Sequence, residues 1–210
     1  MKMNRIGEYL DELFPNPQCE LIYEKDYELL IAIVLSAQST DKRVNSVTPL
    51  IFGNYPNLAA LSNAKIEDLE QIIRPVGSFR IKAGYVKKIA ELLVEKYNGV
   101  VPKDRELLIE FPGVGRKTIN VFLSEFYNEP AIAVDTHVER VAKRLKLAYK
   151  NDSVLKVEEK LQKKFPKDQW SRRHLQLVLF GRYYCKALRP LCFNCPLEDI
   201  CIEKKKNLDN

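Results

Sequence analysis

The stretch FPGVGRKTIN, residues 111–120, settles how the rest of this chain is read. In its surroundings, LLIEFPGVGRKTINVFLSEF at 107–126, it reads as helix, tight turn and second helix. Pro112 and Gly113 stop the first helix, and Gly115 opens the second. Lys117 then falls in the first turn of the new helix. It faces the positive end of the helix dipole, where a cation is disfavoured by roughly a few tenths of a kcal/mol or more. Such a lysine either snorkels to solvent or has its awkward place put to use.

Helical patterning extends in both directions. DYELLIAIVLSAQ (26–38) is apolar on every side, as expected of a helix at the centre of a domain. KRVNSVTPLIFGNY (42–55) follows and is read as broken by Pro49 and Gly53. KIEDLEQII (65–73) and KAGYVKKIAELLVEKY (82–97) space apolar residues at three and four, and the second ends at an Asn98-Gly99 cap. Beyond Pro130, the segments DTHVERVAKRLKLAY, DSVLKVEEKLQKKF and DQWSRRHLQLVLFGRYYC each open with an aspartate suited to N-capping. Only AIAVD (131–135) stays open between strand and helix. The expected fold class is all-α, with the apolar break NEPAIAV (128–134) marking a boundary between two helical lobes.

At 210 residues, with 46% hydrophobic and 30% charged residues, the chain has the composition of a soluble globular protein. A formal charge of +6 points toward nucleic acid or another polyanion. No apolar run approaches the roughly 18 residues that span a bilayer, so no membrane is expected as a partner. The start, MKMNRIGEYLDELF, is an amphipathic charged pattern without a signal-peptide core, which predicts a cytoplasmic protein. In a reducing compartment the five cysteines do not read as a disulfide framework.

Four of them crowd together. Cys185, Cys192, Cys195 and Cys201 form C-x6-C-x2-C-x5-C within 17 residues, so four soft thiolates can converge on one zinc or one iron–sulfur centre. Zinc sites more often show two C-x2-C pairs; a single pair leans away from zinc and leaves both readings open. Cys19 stands apart and is expected to be a buried thiol. Lys186 and Arg189 lie in the six-residue loop between the first two cysteines. Held rigid by a metal, that loop would present them to phosphates. A solvated basic loop accounts for them equally well.

Taken together, LSAQSTD (35–41), FPGVGRKT (111–118), AVDTHVERV (133–141), GRYYC (181–185) and the spaced cysteines resemble the endonuclease III family of DNA glycosylases. The likeness runs in register from about residue 25 to residue 201. It implies two helical lobes with DNA in the cleft between them. One lobe, 20–129, is a helical barrel carrying a helix-hairpin-helix motif. The other joins 1–19 to 130–210 and holds a [4Fe-4S] cluster on Cys185, Cys192, Cys195 and Cys201. By this resemblance Lys117 is the nucleophile and Asp135 the catalytic carboxylate. The implied partner is double-stranded DNA with a damaged base or an abasic site, bound by a monomer in the nucleoid. The implied reaction is removal of oxidised pyrimidines followed by backbone cleavage at the abasic site.

The residue types suit that chemistry. Gly113 and Gly115, with Val114 between them and the helix N-terminus behind, form a backbone pocket for a phosphate. A neutral lysine amine is the nucleophile that Schiff-base chemistry needs, and both a helix N-terminus and desolvation favour the neutral form. Cleaving a glycosidic bond builds positive charge on the sugar, which a fixed carboxylate at Asp135 stabilises. Asp135 also suits the N-cap of THVERV, and the same oxygen cannot fill both roles. The target base must leave the stack, and inserted side chains fill the gap. Gln38 matches a family residue that enters the DNA, though a polar helix cap would explain it too. At the second insertion point the family usually carries a bulky residue after the glycine; here Ser78 stands there, and Phe79 or Ile81 is left to supply the wedge.

Three rival readings are set against this one. An adenine-removing glycosylase of the same superfamily generally lacks a lysine at the place of Lys117 and carries an extra C-terminal domain. A non-catalytic helix-hairpin-helix DNA-binding module would have no need of both Lys117 and Asp135. A cluster-bearing electron-transfer protein would leave the hairpin unexplained.

Overall fold

A computed structural model of the chain describes residues 2–208. It is helical throughout. The helices are α1 (Lys2–Leu13), α2 (Asp26–Ser36), α3 (Asp41–Asn54), α4 (Leu58–Ser62), α5 (Ile66–Ile72), α6 (Phe79–Lys96), α7 (Arg105–Leu108), α8 (Arg116–Tyr127), α9 (Thr136–Arg144), α10 (Val154–Lys164) and α11 (Trp170–Tyr183). Short 3-10 turns precede α11 and lie within the cysteine-rich segment. No strand is found among the described residues, and the open segment 131–135 runs as irregular chain into α9. None of the described helices is long and apolar enough to cross a membrane.

The chain divides into two compact units, Glu20–Tyr127 and Met1–Cys19 with Asn128–Asn210. In the first unit α2 is the central helix. Leu29, Leu30, Ile31, Ala32, Val34 and Leu35 are all buried, and α3, α6 and α8 pack around them. A helix that is apolar on every face can only be stable when surrounded in this way. The helix ends at Ser36, two residues short of the expected stop, because Ala37 leaves helical geometry at ψ 117° and Gln38 follows in a left-handed conformation at φ 55°. The helix α3 runs unbroken through Pro49 and Gly53, against expectation. Burial of Val44, Val47, Thr48 and Ile51 on one face outweighs the roughly 3 kcal/mol that an interior proline costs. The Asn98-Gly99 cap forms as expected, with the Gly99 amide donating to Leu93 O at 2.8 Å.

The second unit gathers Ile6, Leu10, Val138, Val141, Leu161, Leu177 and Phe180 into one core. The helix α11 packs against α1 and α9, and Gly181 permits the close approach to α9: a Cβ there would lie 2.9 Å from His137 Cβ. Arg173 of α11 is 7% exposed and joins both oxygens of Asp11 on α1 at 2.8 and 3.0 Å, so its buried charge is paired. Two of the three aspartates expected to cap helices do not. Ser153 caps α10, accepting from Lys156 N, while Asp152 accepts from Tyr149 N and pairs with Lys160 instead. Asp168 falls inside the 3-10 turn before α11, whose N-cap Gln169 makes no side-chain cap bond. Cys19 is half-buried rather than enclosed.

Candidate functional site

The hairpin is short on one side and long on the other. The helix α7 is a single turn, N-capped by Asp104, and α8 follows after Phe111–Gly115. Phe111 is buried and its ring lies 5.3 Å from that of Tyr97, which pins the turn to the end of α6. Arg105 donates to the buried Asn120 Oδ1 at 2.8 Å and ties the two helices together. Neither contact is visible as a local pattern in the sequence.

The two glycines do different work. Gly113 sits at φ 76°, and a Cβ there would lie 2.8 Å from Tyr85 and 3.0 Å from Val34. Gly115 is exposed, and a Cβ there would meet nothing within 4 Å. Gly113 therefore serves packing and Gly115 keeps the outer face of the turn open. Between them Val114 is 7% exposed, and its amide donates to Phe111 O at 3.1 Å, so neither its side chain nor its N–H is left for a ligand. Gly113→Ala is expected to lower stability by about 2 kcal/mol or more, combining the left-handed backbone with overpacking. Gly115→Ala should leave the melting temperature within about 2 °C of wild type and weaken duplex DNA binding. Thermal melts and a binding titration on both variants check this pair.

Lys117 is exposed on the first turn of α8, and among the described residues it makes no hydrogen bond or ion pair. Asp135 is half-buried and caps α9 through Oδ1 alone, which accepts from His137 N at 2.9 Å and Val138 N at 2.8 Å. The cap therefore occupies one carboxylate oxygen and not the other. Oδ2 accepts no hydrogen bond among the described residues. His137 Nδ1 lies 3.2 Å from Arg140 Nη2, a structural contact.

Gln38 and Ser78 are brought side by side. Both are exposed and both are left-handed, at φ 55° and 57°. At Gly77 a Cβ would stand 3.3 Å from Gln38 O, so the two turns touch through their backbones. Phe79, the first residue of α6, is half-buried with the Arg80 guanidinium 4.9 Å above its ring, and Ile81 is 61% exposed. The residue that sequence reasoning missed is Lys82. It is 5% exposed, and its Nζ donates to Leu35 O at 2.9 Å and Ala37 O at 2.5 Å. An apolar-patterned helix with a lysine on its buried face was the available signal.

Cys185, Cys192, Cys195 and Cys201 all line one cavity of about 420 Å³ including its open mouth, together with Tyr9, Leu145, Phe180 and Tyr184. No three His, Cys, Asp or Glu side chains among the described residues are gathered tightly enough for a single metal ion. Burial pushes the Cys185 and Cys195 thiols up, with Arg144 opposing it at Cys185, so thiolates here call for compensating positive charge. A donor set of four soft sulfurs around a shared, largely apolar hollow fits an iron–sulfur cluster better than one small ion. Arg140 and Arg144, one turn apart on α9, brace the first cysteine. Arg140 Nε donates to Cys185 O at 3.0 Å, and Arg144 Nη1 reaches Cys185 Sγ at 3.4 Å and Lys186 O at 2.7 Å. Lys186 and Arg189 are both exposed, and their side chains make no contact of this kind among the described residues.

Residues 31–167 match the HhH-GPD superfamily of base excision DNA repair proteins. Endonuclease III of Bacillus subtilis (strain 168) is 46% identical over 204 residues, which is 97% of this chain and 91% of that protein. A trapped endonuclease III–DNA covalent intermediate, in an estranged-adenine complex, superposes with a TM-score of 0.91 at 48% identity and covers 96% of both chains. A non-covalent endonuclease III–DNA complex does so with a TM-score of 0.90 at 49% identity, covering 96% of this chain and 95% of that one. The hairpin, the lysine behind it and the capping aspartate thus stand in a fold shared along nearly the whole length, and the chain belongs to the endonuclease III family of DNA glycosylase/AP lyases within the HhH-GPD superfamily.

Proposed function

We propose that this protein removes oxidised pyrimidines from duplex DNA and cleaves the backbone 3′ to the resulting abasic site, with Lys117 as the nucleophile. One observation carries the reading: an amine on the first turn behind an open glycine turn, with no side-chain partner among the described residues. The backbone amides at Gly115 and the start of α8 hold a DNA phosphate, aided by the helix dipole, and Gly113 supports that turn from within. Lys117, as the neutral amine, attacks C1′ of the damaged nucleoside. The glycosidic bond breaks, and the departing base takes the electron pair and a proton. The sugar ring opens to a Schiff base with Lys117. Loss of the C2′ proton then expels the 3′ phosphate and cuts the strand. Asp135 stabilises the positive charge that grows on the sugar, using the oxygen its cap leaves over.

The two left-handed turns probe the duplex. Gln38 enters beside the extruded base, and Ser78 with Phe79 faces the opposite strand. Four cysteines, Cys185, Cys192, Cys195 and Cys201, would hold a [4Fe-4S] cluster that cross-links the C-terminal segment. That segment presents Lys186 and Arg189 to phosphates. Such an enzyme works as a monomer on the cytoplasmic nucleoid.

A panel of duplexes tests this reading. Each holds one oxidised pyrimidine, one adenine mispair or one abasic site. Cleavage of the first and third, with no adenine release, is the expected pattern. Adenine release without strand cleavage would favour the adenine-type glycosylase, and binding without any nicking the non-catalytic module. The purified protein should be brown with a broad visible absorbance; a colourless protein with stoichiometric zinc would remove the cluster.

A further inference from the structure

We propose that Lys82 is a positioning residue that locks the Gln38 turn and the Gly77–Ser78 turn into one rigid, two-pronged element for opening damaged duplex. The inference rests on the functional reading above and concerns how its base-extruding turns are held.

Every part of this arrangement lies within one compact unit. The last carbonyls of a helix have no partner of their own. At the end of α2 two such groups, Leu35 O and Ala37 O, are taken by the Lys82 ammonium, 47 and 45 residues further along the chain. A cation at a helix C-terminus also faces the favourable end of the dipole. Lys82 lies one turn into α6, so the same side chain ties the start of α6, and the Ser78 turn leading into it, to the end of α2. The Gly77 backbone completes the contact by approaching Gln38 O.

Two non-glycine residues at positive φ, side by side, are unfavourable unless their surroundings hold them there. Within the Gln38 turn the Ser39 amide donates to Ser36 O at 3.0 Å, while Ser39 Oγ is buried with no hydrogen-bond partner among the described residues. Lys82 adds a second hold from across the fold. A buried ammonium that meets only carbonyls and no carboxylate is a costly way to pack a helix, and desolvation pushes the Lys82 amine down accordingly. Packing alone would be served as well by a methionine. What the ammonium adds is a fixed geometry for the two turns.

The test uses Lys82→Met, which keeps length and loses the donors, and Lys82→Arg, which keeps the charge. Each is assayed on two duplexes, one with an oxidised pyrimidine and one with a preformed abasic site, below the variant's melting temperature. Extrusion is followed by 2-aminopurine fluorescence next to the lesion. For Lys82→Met, kcat for base removal should fall by about tenfold or more, with the fluorescence rise lost, while KM changes by less than about twofold and abasic nicking stays within about threefold. Lys82→Arg should recover part of the extrusion signal. Should Lys82→Met fail to fold, the same asymmetry in Lys82→Arg carries the test. Equal losses on both duplexes, or an unchanged fluorescence rise, would overturn the assignment and leave Lys82 as a helix cap. Wild-type protein inactive on both duplexes would instead remove the functional reading, and this inference with it.

Discussion

Replacing Lys117 by alanine is expected to abolish the covalent adduct that borohydride traps between protein and abasic DNA, by about three orders of magnitude or more. The size of the effect follows from the mechanism: without the amine there is no Schiff base to reduce and no route to elimination. The variant is also a clean one. Lys117 is exposed and its side chain makes no hydrogen bond or ion pair among the described residues, so its loss should change stability by no more than about 0.5 kcal/mol. Alanine is at least as good a helix former at that place. On the proposed mechanism the phosphate is gripped by backbone amides, so duplex binding should persist. Loss of trapping with intact binding and an unchanged melt assigns the nucleophile; an adduct forming at the wild-type rate removes it.

Asp135→Asn is expected to cut base removal by about 100-fold to 1000-fold while nicking of a preformed abasic site falls by less than about tenfold. The asymmetry arises because charge on the sugar is greatest while the glycosidic bond breaks, a step that an abasic substrate skips. The substitution separates two roles that share one side chain. Asparagine caps helices about as well as aspartate, and its oxygen can still accept from His137 and Val138, so α9 keeps its start. Only the charge is lost. Asp135→Ala provides the contrast, since it should also cost about 1 kcal/mol of stability through the missing cap. Equal losses on lesion and abasic duplexes in Asp135→Asn would count against the division of labour between Asp135 and Lys117.

Much of this is legible in the sequence, where the signal is local. The start of α8 at Arg116 follows from Gly115, the cap of α9 from Asp135, and the enclosure of α2 from its unbroken apolar character. Other local signals are overruled by competing groups close by. Pro49 reads as a break but sits inside α3, because the buried face of that helix continues past it. Asp152 reads as a cap but is turned toward Lys160, and the neighbouring Ser153 takes the capping role. An aspartate has several acceptable partners within a few residues, and the sequence does not say which it will choose.

Turn chemistry, helix patterning, cysteine spacing and the placing of Lys117 and Asp135 next to helix starts are written in neighbouring residues, so the chain reveals them unaided. The roles of Gly113 and Gly115, the inward turn of Val114, the shared hollow of the four cysteines and the hold of Lys82 on α2 emerge only on folding. Each of these depends on groups far apart in the chain meeting at ångström distances, as Lys82 and Leu35 do across 47 residues. A one-dimensional pattern records what a residue can do; which carbonyl its ammonium finds is fixed by the packing of helices that the pattern does not encode.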